Sequence, residues 1–306
     1  MPKKLDAIWN LCSRVHQLHS YSSPDIQCFV KRDDELGCGI SGTKIRKYAS
    51  LVPSLLSQGI QHLLIIAGPQ SNNLLAALQI AREYHFQVTA FLIQPKHTQI
   101  QGNFKLSLLF LKEEEIQWIP REKWVNVEVI AEEYLKSMNE TAFILSEGAS
   151  VKESMAGSMT LADDILLNET SLGFQFDHVF IDAGTGFSAI ALIKRMQEIN
   201  HPATIHVLLL ADKEEVFTAK VRHWIEGSAA NYNCFYPSTA RAFGSVNQTI
   251  KNEIKHLAYE EGILTDPVYS AKLFYESKLY INNRKLSGKI LIVHSGGTIT
   301  LSGFSF

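Results

Sequence analysis

The stretch Phe180-Ile181-Asp182-Ala183-Gly184-Thr185-Gly186-Phe187-Ser188 runs from apolar residues into a turn of glycine and hydroxyl residues. The apolar part predicts a strand, and the residues from Ser188 onward have the apolar spacing of a helix. Gly184 and Gly186 allow a positive φ and leave the backbone uncovered. The N–H groups that follow them open a helix, so they point at an anion with a favourable dipole. The stretch therefore predicts a βα unit whose turn can bind a phosphate.

Two further stretches, 65–73 and 292–298, repeat this order of apolar strand and small polar turn. Their turns are Gly68-Pro69-Gln70-Ser71 and His294-Ser295-Gly296-Gly297. In a parallel sheet such turns lie at the carboxyl ends of the strands, where open α/β sheets bind ligands. One such turn alone is most simply an ordinary βα connection. Three of them, all rich in hydroxyl groups, favour one shared polar ligand.

Short apolar runs alternate along the chain with longer amphipathic stretches. Strands that are apolar throughout suit a sheet covered on both faces, and their alternation with helices indicates parallel βαβ units. The predicted strands are 28–30, 62–67, 88–93, 142–146, 178–181, 204–211 and 289–294, and the predicted helices are 44–57, 71–85, 102–112, 154–167, 188–199 and 248–260. The sequence thus predicts an α/β fold of two doubly wound parallel-sheet domains.

The β–α series also suggests where the chain divides. Residues 48–152 contain one complete series, and the part after 153 contains a longer one. We expect a larger domain formed by 1–47 and 153–306, which carries the phosphate turn. We expect 48–152 to form a smaller, mobile domain on the substrate side.

Composition excludes several classes of protein. The 306 residues include 29 Lys and Arg against 31 Asp and Glu, a formal net charge of −2, so no positive excess indicates nucleic acid or anionic lipid. The longest apolar runs are far shorter than the roughly 18 residues that span a membrane. The four cysteines contain no C-x-x-C pair, and no metal-ligand spacing occurs. Polar residues interrupt any apolar leader behind Lys3 and Lys4. We expect a cytoplasmic protein without a metal.

Lys44 follows a glycine-containing loop at the start of a predicted helix. The loop is close to a Walker A motif, but it has Thr43-Lys44 where that motif has Lys-Thr, and no apolar strand precedes it. Arg46, Lys47 and the helix N-terminus all disfavour an ammonium, which leaves a more nucleophilic amine. A Schiff-base lysine requires such an amine. A surface lysine at a helix start is the alternative, and the local sequence alone favours it.

Five segments along the chain match the motifs of one enzyme family in order. They are Lys31-Arg32-Asp33-Asp34 with Ser41-Gly42-Thr43-Lys44-Ile45-Arg46-Lys47, Gln70-Ser71-Asn72, Gly184-Thr185-Gly186-Phe187-Ser188, Glu261-Gly262-Ile263-Leu264-Thr265-Asp266-Pro267-Val268-Tyr269-Ser270-Ala271-Lys272 and His294-Ser295-Gly296-Gly297. Together they resemble the 1-aminocyclopropane-1-carboxylate (ACC) deaminase / D-cysteine desulfhydrase family. That family consists of pyridoxal-phosphate (PLP) enzymes of fold type II, the tryptophan-synthase-β-like fold. The resemblance implies a PLP-dependent lyase or deaminase of a small amino acid, with PLP in the larger domain, and a homodimer.

The resemblance assigns roles around the cofactor. Lys44 would hold PLP as an internal aldimine and then move the α or β proton. Ser270 would face the pyridine nitrogen, and Asn72 the cofactor 3′-oxygen. The backbone of one loop would hold the phosphate: Gly184, Thr185, Gly186, Phe187 and Ser188.

The resemblance also assigns roles around the substrate. Ser71 and Asn72 would face the substrate carboxylate, with Asn73 beside them. Tyr269 would stand over the substrate and take part in catalysis, as would Ser71. Phe243 aligns with a position that usually carries Tyr on the substrate side.

Ser270 discriminates between the two activities of the family. The deaminase pattern has Glu after the tyrosine, which keeps the pyridine protonated and the electron sink strong. A hydroxyl there, as in the desulfhydrase pattern, leaves the ring largely unprotonated and favours elimination of a good β-leaving group. Ser270 therefore predicts β-elimination, with D-cysteine as the model substrate giving pyruvate, ammonia and sulfide.

Three positions depart from the family pattern and keep other interpretations open. Thr43 replaces Asn beside the lysine, Phe187 stands where the phosphate loop usually has glycine, and Phe243 lacks the tyrosine hydroxyl. A positive φ at Phe187 would be costly. The alternatives are ACC ring opening, another small amino acid, or a PLP-binding protein with weak or no catalysis. A phosphate-ligand enzyme without PLP would leave the Lys44 and Asp266–Ser270 segments unexplained.

Overall fold

The computed structural model describes residues 9–39, 42–95, 100–138, 140–227 and 231–306. Its strands are β1 (Val15–Gln17), β2 (Ile26–Lys31), β3 (His62–Ala67), β4 (Gln87–Ile93), β5 (Ile116–Ile119), β6 (Ala142–Leu145), β7 (His178–Ala183), β8 (Thr204–Leu209), β9 (Tyr232–Phe235) and β10 (Gly288–Val293). Its helices are α1 (Lys44–Ser57), α2 (Asn72–Glu83), α3 (Gly102–Ser107), α4 (Val127–Ser137), α5 (Met155–Leu172), α6 (Phe187–Glu198), α7 (Glu214–Trp224), α8 (Gln248–Glu261) and α9 (Ser270–Arg284).

The chain forms two compact units. The smaller comprises Lys47–Gly157 and Ile299–Ser305, and the larger comprises Trp9–Arg46 and Ser158–Thr298. The sequence suggested 48–152 for the smaller unit and gave no sign that 299–305 joins it. The chain passes from the larger unit to the smaller one within α1, between Arg46 and Lys47. The substrate-side role and the mobility of the smaller unit stay predictions.

The larger unit is built on a six-stranded sheet in the order β1-β2-β10-β7-β8-β9. Neighbouring strands are parallel, except that β1 is antiparallel to β2 at one edge. Alternate residues of β7 enter different core clusters. Val179 and Ile181 pack with apolar residues of α5 and α6, whereas Phe180 packs with Leu273 and other residues of α9. The sheet is therefore covered on both faces, as its uninterrupted apolar strands predicted.

The smaller unit contains a four-stranded parallel sheet in the order β5-β4-β3-β6. All six residues of β3 are buried. Leu64 and Ile66 pack with Phe91 and with Val127 and Ala131 of α4. The predicted α/β class with doubly wound parallel sheets is confirmed, with β1 as an added antiparallel edge.

Several elements carry no clear sequence signal. The sequence analysis missed β1, β5, β9, α4, α7 and α9, and it extended α3 beyond its observed end at Ser107. Helix α9 shows the reason, because Lys272 and Glu276 are buried on it beside Leu273 and Phe274. Buried charges break the apolar periodicity on which the prediction of a helix rests.

Two kinds of feature are absent from the described ranges. No helix in them is long and apolar enough to cross a membrane. The same ranges hold no group of three or more His, Cys, Asp or Glu side chains placed to bind a metal ion.

Candidate active site

The turn between β7 and α6 ends at a helix N-terminus, and the rings of Tyr269 and Phe217 pack against its two glycines. Gly186 is the N-cap of α6 and has φ 86, a left-handed conformation that suits glycine. A Cβ at Gly184 would lie 3.0 Å from Cε1 of Tyr269, so any side chain there would strike the ring. No acidic residue occupies the first turn of α6. The turn thus offers the dipole of a helix N-terminus without a competing acidic side chain, which favours an anion such as phosphate.

Phe187 fits this turn without backbone strain. It is the first residue of α6 and is not among the residues with positive φ, because Gly186 takes that conformation instead. Its ring is buried and packs edge-on against Trp224, with the ring centroids 5.3 Å apart. The cost that the sequence analysis anticipated at Phe187 is therefore absent.

A lysine on α7 reaches the turn between β7 and α6. Lys220 donates from Nζ to the carbonyl of Thr185, at 3.1 Å, and forms an ion pair with Asp212 at 2.6 Å. The sequence analysis missed Lys220, because 35 residues separate it from Thr185. Only the pairing of β7 with β8, which leads into α7, brings the two together.

Lys44 is the first residue of α1, and its side chain is half-buried. Among the described residues, none bonds to its amine. Burial lowers the pKa of Lys44, and the charges of Asp182, Asp266 and Asp33 partly oppose that shift. The amine is therefore more nucleophilic than an exposed lysine, as a Schiff-base lysine requires.

The cause of this shift differs from the one that the sequence suggested. Arg46 is buried and its guanidinium is matched by two carboxylates, so its charge is largely cancelled. Lys47 donates to the carbonyl of Gly148 in the smaller unit, at 2.6 Å. Burial of Lys44, and not the charge of its neighbours, is the main reason for its lowered pKa.

A buried ionic network holds the first turn of α1. Arg46 donates from Nε and Nη2 to the two oxygens of Asp33, each at 2.7 Å, and from Nη2 to Asp164, also at 2.7 Å. Lys31 on β2 donates to Asp164 and to the carbonyl of Ser13. All four charged side chains are almost fully buried. The network fixes the backbone two residues after Lys44.

Asp266 caps the helix that begins at Ser270. Its carboxylate accepts the backbone N–H groups of Val268, Tyr269 and Ser270. The Ser270 hydroxyl donates to Oδ1 of Asp266 at 2.9 Å and accepts the Asp266 N–H at 2.8 Å. Burial raises the pKa of Asp266, and these donors oppose that shift. The hydroxyl of Ser270 is therefore held by Asp266, which the sequence analysis did not foresee.

An aromatic pair, Tyr269 and Phe243, reaches the turn between β7 and α6 through the ring of Tyr269. Tyr269 is half-buried, and its ring lies against Gly184. Phe243 packs edge-on to Tyr269, with centroids 5.9 Å apart, and is 56% exposed. From α9, Lys272 donates to the carbonyl of Ala240, and Glu276 accepts from the backbone of Ser238. Two buried charges on α9 thus hold the segment that leads to Phe243.

The turn of the smaller unit holds three of the predicted residues. Ser71 is the N-cap of α2, and its Oγ accepts the N–H groups of Asn73 and Leu74. Asn72 accepts from Asn103 at 2.6 Å and from Thr300 at 2.9 Å. Asn73 is only 2% exposed. The structure places Ser71 and Asn72, both half-buried, at the carboxyl end of β3, and it buries Asn73. Their substrate roles stay predictions.

Loss of the Ser71 cap should weaken the smaller unit. We expect Ser71→Ala to lower the free energy of unfolding by about 1 kcal/mol, because two N–H groups of the first turn lose their acceptor. Ser71→Asp, which retains a cap, is the control. Urea unfolding measures both variants, and equal losses in the two would contradict the capping role.

Comparison with known proteins gives one family and several relatives. A model of the family described as pyridoxal-phosphate dependent enzymes matches residues 13–296. An ACC deaminase of Cyberlindnera saturnus is 24% identical over 325 residues, covering 96% of this chain and 92% of the relative. A protein of Pyrococcus abyssi to which the same activity has been assigned by proposal is 25% identical over 282 residues. The match covers 89% of this chain and 84% of the relative. The crystal structure of an ACC deaminase homologue superposes with a TM-score of 0.81 at 24% identity, covering 96% and 91%.

Proposed function

Since the chain belongs to the family of pyridoxal-phosphate-dependent enzymes, we propose that it deaminates a small amino acid and releases ammonia and a 2-oxo acid. The half-buried amine of Lys44, which no described residue binds, carries this proposal. A lysine whose pKa is lowered by burial serves as a nucleophile and a base in one residue. The relatives of this chain include named deaminases, which supports the reaction class.

The residues of the larger unit fit PLP, the cofactor of this family. The turn at Gly184 and Gly186 suits the phosphate, because it leads into the N-terminus of α6 and no acidic residue lies in the first turn of that helix. Lys220 adds a positive charge beside that turn. Lys44 supplies the amine for the covalent link. When bound, PLP withdraws electrons from the bonds around the substrate α-carbon.

The remaining roles follow from where each side chain lies within its own unit. Lys44 would take and return a proton at the substrate carbon, and its lowered pKa makes the neutral amine more available for that role. Tyr269 and Phe243 would bind the apolar part of the substrate and exclude water from it. Ser71, Asn72 and Asn73 would bind the substrate carboxylate, as the resemblance implies.

The first substrate to consider is ACC. The names of the relatives support it, and the fold is that of an ACC deaminase homologue. The expected products of ACC are ammonia and 2-oxobutanoate. The apolar Tyr269–Phe243 pair is compatible with a substrate whose side chain is only a hydrocarbon ring.

Ser270 favours D-cysteine as a second candidate. The hydroxyl that would face the pyridine nitrogen already donates to Asp266. It therefore presents no acidic proton and no free carboxylate to the ring. A ring that stays unprotonated suits the loss of a good leaving group such as sulfide better than the opening of a cyclopropane.

Spectroscopy of the purified protein tests the proposal. We expect a visible band from bound PLP that borohydride reduces, with the reduced adduct on Lys44. The same preparation is then given ACC, D-cysteine or L-cysteine, and ammonia, 2-oxo acid and sulfide are measured. Ammonia formation from ACC or D-cysteine supports the proposal and selects the substrate. Absence of a band after incubation with PLP would overturn it.

The identity of residue 270 is expected to set the ratio of the two reactions. Ser270→Glu should raise activity on ACC relative to D-cysteine by about tenfold or more, because a carboxylate there would keep the pyridine ring protonated. The measurement is kcat/KM for both substrates at equal PLP content. Ser270→Thr, which keeps a hydroxyl, is the control. An unchanged ratio in a folded, PLP-loaded Ser270→Glu protein would contradict this role.

Assembly and location follow from the resemblance and from the composition. A homodimer in the cytoplasm stays our expectation. Light scattering coupled to gel filtration measures the first of these directly.

A further inference from the structure

Asp182 stands out at the end of the central strand β7. Its neighbours Ile181 and Ala183 are buried in the core, whereas the Asp182 side chain is half-buried. Its Oδ1 accepts a hydrogen bond from Oγ of Ser295 at 2.8 Å. It lies two residues before Gly184, where the phosphate turn begins. No role has been given to this carboxylate so far.

Ser295 connects Asp182 to the start of α1. The Ser295 carbonyl accepts the backbone N–H of Thr43 at 3.0 Å, while its hydroxyl donates to Asp182. Thr43 immediately precedes Lys44. The connection follows from the sheet order, because β10 lies between β2 and β7 and Ser295 comes soon after β10 ends. One residue therefore holds Asp182 and the backbone before Lys44 together.

The other carboxylates whose charges act on Lys44 are already engaged. Asp33 accepts from Arg46 and from Ser13. Asp266 accepts from three backbone N–H groups and from the Ser270 hydroxyl. Asp182, by contrast, accepts only from Ser295 among the described residues. It is thus the carboxylate of this site with oxygen lone pairs left for a cation.

We propose that Asp182 is the counter-ion of Lys44, a positioning residue that Ser295 holds in place and whose negative charge sets how readily the lysine amine loses its proton. The proposal rests on the function proposed above, in which Lys44 forms the covalent link to the cofactor. Asp182 would then affect the reaction only through the charge state of Lys44.

The electrostatics are reciprocal. Among the carboxylates, Asp182 opposes the burial-lowered pKa of Lys44 most strongly. Burial raises the pKa of Asp182, and among charges Lys44 opposes this most strongly. Asp266 and His294 also face Asp182. His294 accepts the Gly296 N–H at Nδ1 and donates from Nε2 to the Leu264 carbonyl, and its Nε2 lies 4.0 Å from Asp34. Of the charges that favour the ionised form of Asp182, Lys44 acts most strongly, and His294 acts in the same direction.

The direction of the effect follows from the charges. A carboxylate stabilises the ammonium form of Lys44, so neutralising Asp182 should let the amine lose its proton at a lower pH. An opposite charge that acts on a group favours its charged form. We expect the midpoint for Lys44 deprotonation to fall by about one pH unit in Asp182→Asn.

Trace labelling with acetic anhydride measures that midpoint without catalysis. The full chain, freed of PLP by dialysis against hydroxylamine, is labelled across a pH series, and mass spectrometry gives the acetylated fraction at Lys44. The exposed Lys112 in the same digest is the internal reference. Asp163→Asn is the matched control, because Asp163 pairs with Arg195 on the surface. We expect an unchanged Lys44 midpoint in that control.

Two more variants complete the test. Asp182→Thr, which is neutral and suits a strand, should lower the Lys44 midpoint as Asp182→Asn does, and it carries the test if the Asn variant does not fold. Asp182→Glu keeps the charge and should keep the midpoint near that of the unaltered chain. A midpoint that stays unchanged in the neutral variants, or falls equally in Asp182→Glu, would overturn the proposal. Failure of the proposed function would instead appear as missing PLP binding or missing turnover, with the labelling result unaffected.

Discussion

Lys44→Ala is expected to abolish the covalent cofactor link and to lower kcat/KM by about a thousandfold or more. The variant removes both the amine that binds PLP and the base that moves the substrate proton, and positioned proton transfer alone is worth roughly 10²–10⁴ in rate. The fold should tolerate the change, because none of the described residues bonds to the Lys44 amine. Borohydride reduction followed by peptide mapping shows directly which lysine carries the cofactor.

Two other lysines near the site make this a sharp test. Lys220 lies beside the phosphate turn, but Asp212 and the Thr185 carbonyl bind it. Lys272 is buried and donates to the Ala240 carbonyl. Lys220→Met is therefore the matched control, and it should weaken PLP binding while leaving the reduced adduct on Lys44. A reduced adduct on Lys220 or Lys272 in the unaltered protein would refute the assignment of Lys44.

Arg46→Ala should give the largest loss of stability, about 3–5 kcal/mol in the free energy of unfolding. The side chain of Arg46 is 1% exposed and lies between Asp33, 0% exposed, and Asp164, 5% exposed. Its removal leaves two buried carboxylates with Lys31 as their remaining cation. Buried carboxylates that lose their cation destabilise the folded state strongly, although a complete buried ion pair contributes little net stability. Guanidinium unfolding measures the loss.

Arg195→Ala provides the contrast for this prediction. Arg195 pairs with Asp163 and Glu198, whose side chains are well exposed, so its loss should cost no more than about 1 kcal/mol. Similar losses in Arg46→Ala and Arg195→Ala would show that the buried network is not what stabilises the start of α1.

The same network predicts a dependence on pH. Burial alone would raise the pKa of Asp33, but Arg46 holds it below the ordinary value. A carboxyl group with a lowered folded-state pKa stabilises the protein above its unfolded pKa of about 4, and that contribution is lost as the pH falls through the folded-state pKa. Below about pH 4, the free energy of unfolding should therefore fall less in Arg46→Ala than in the unaltered chain.

The sequence by itself determined the local parts of this protein. Apolar runs predicted the β3 strand at His62–Ala67, and the residues after Thr43 predicted α1 at Lys44–Ser57 with the observed bounds. Both signals are local, because burial of a parallel strand and amphipathic spacing of a helix can be read from neighbouring residues. The glycine turn before α6 was predicted for the same reason, since Gly186 carries the positive φ that the turn needs.

Only the tertiary structure decided which polar groups meet. Asp182 and Ser295 lie 113 residues apart, and Lys31 and Asp164 lie 133 apart, yet each pair is hydrogen-bonded. Sheet order sets the first contact, because β10 pairs with β7 and brings Ser295 to the end of that strand. The second contact joins the end of β2 to helix α5. From the sequence we expected a costly backbone conformation at Phe187, which the structure does not show. From the sequence we also attributed the nucleophilicity of Lys44 to its charged neighbours, whereas burial is the main cause of its lowered pKa. Burial and side-chain partners depend on packing across the whole sheet, and no window of neighbouring residues contains them.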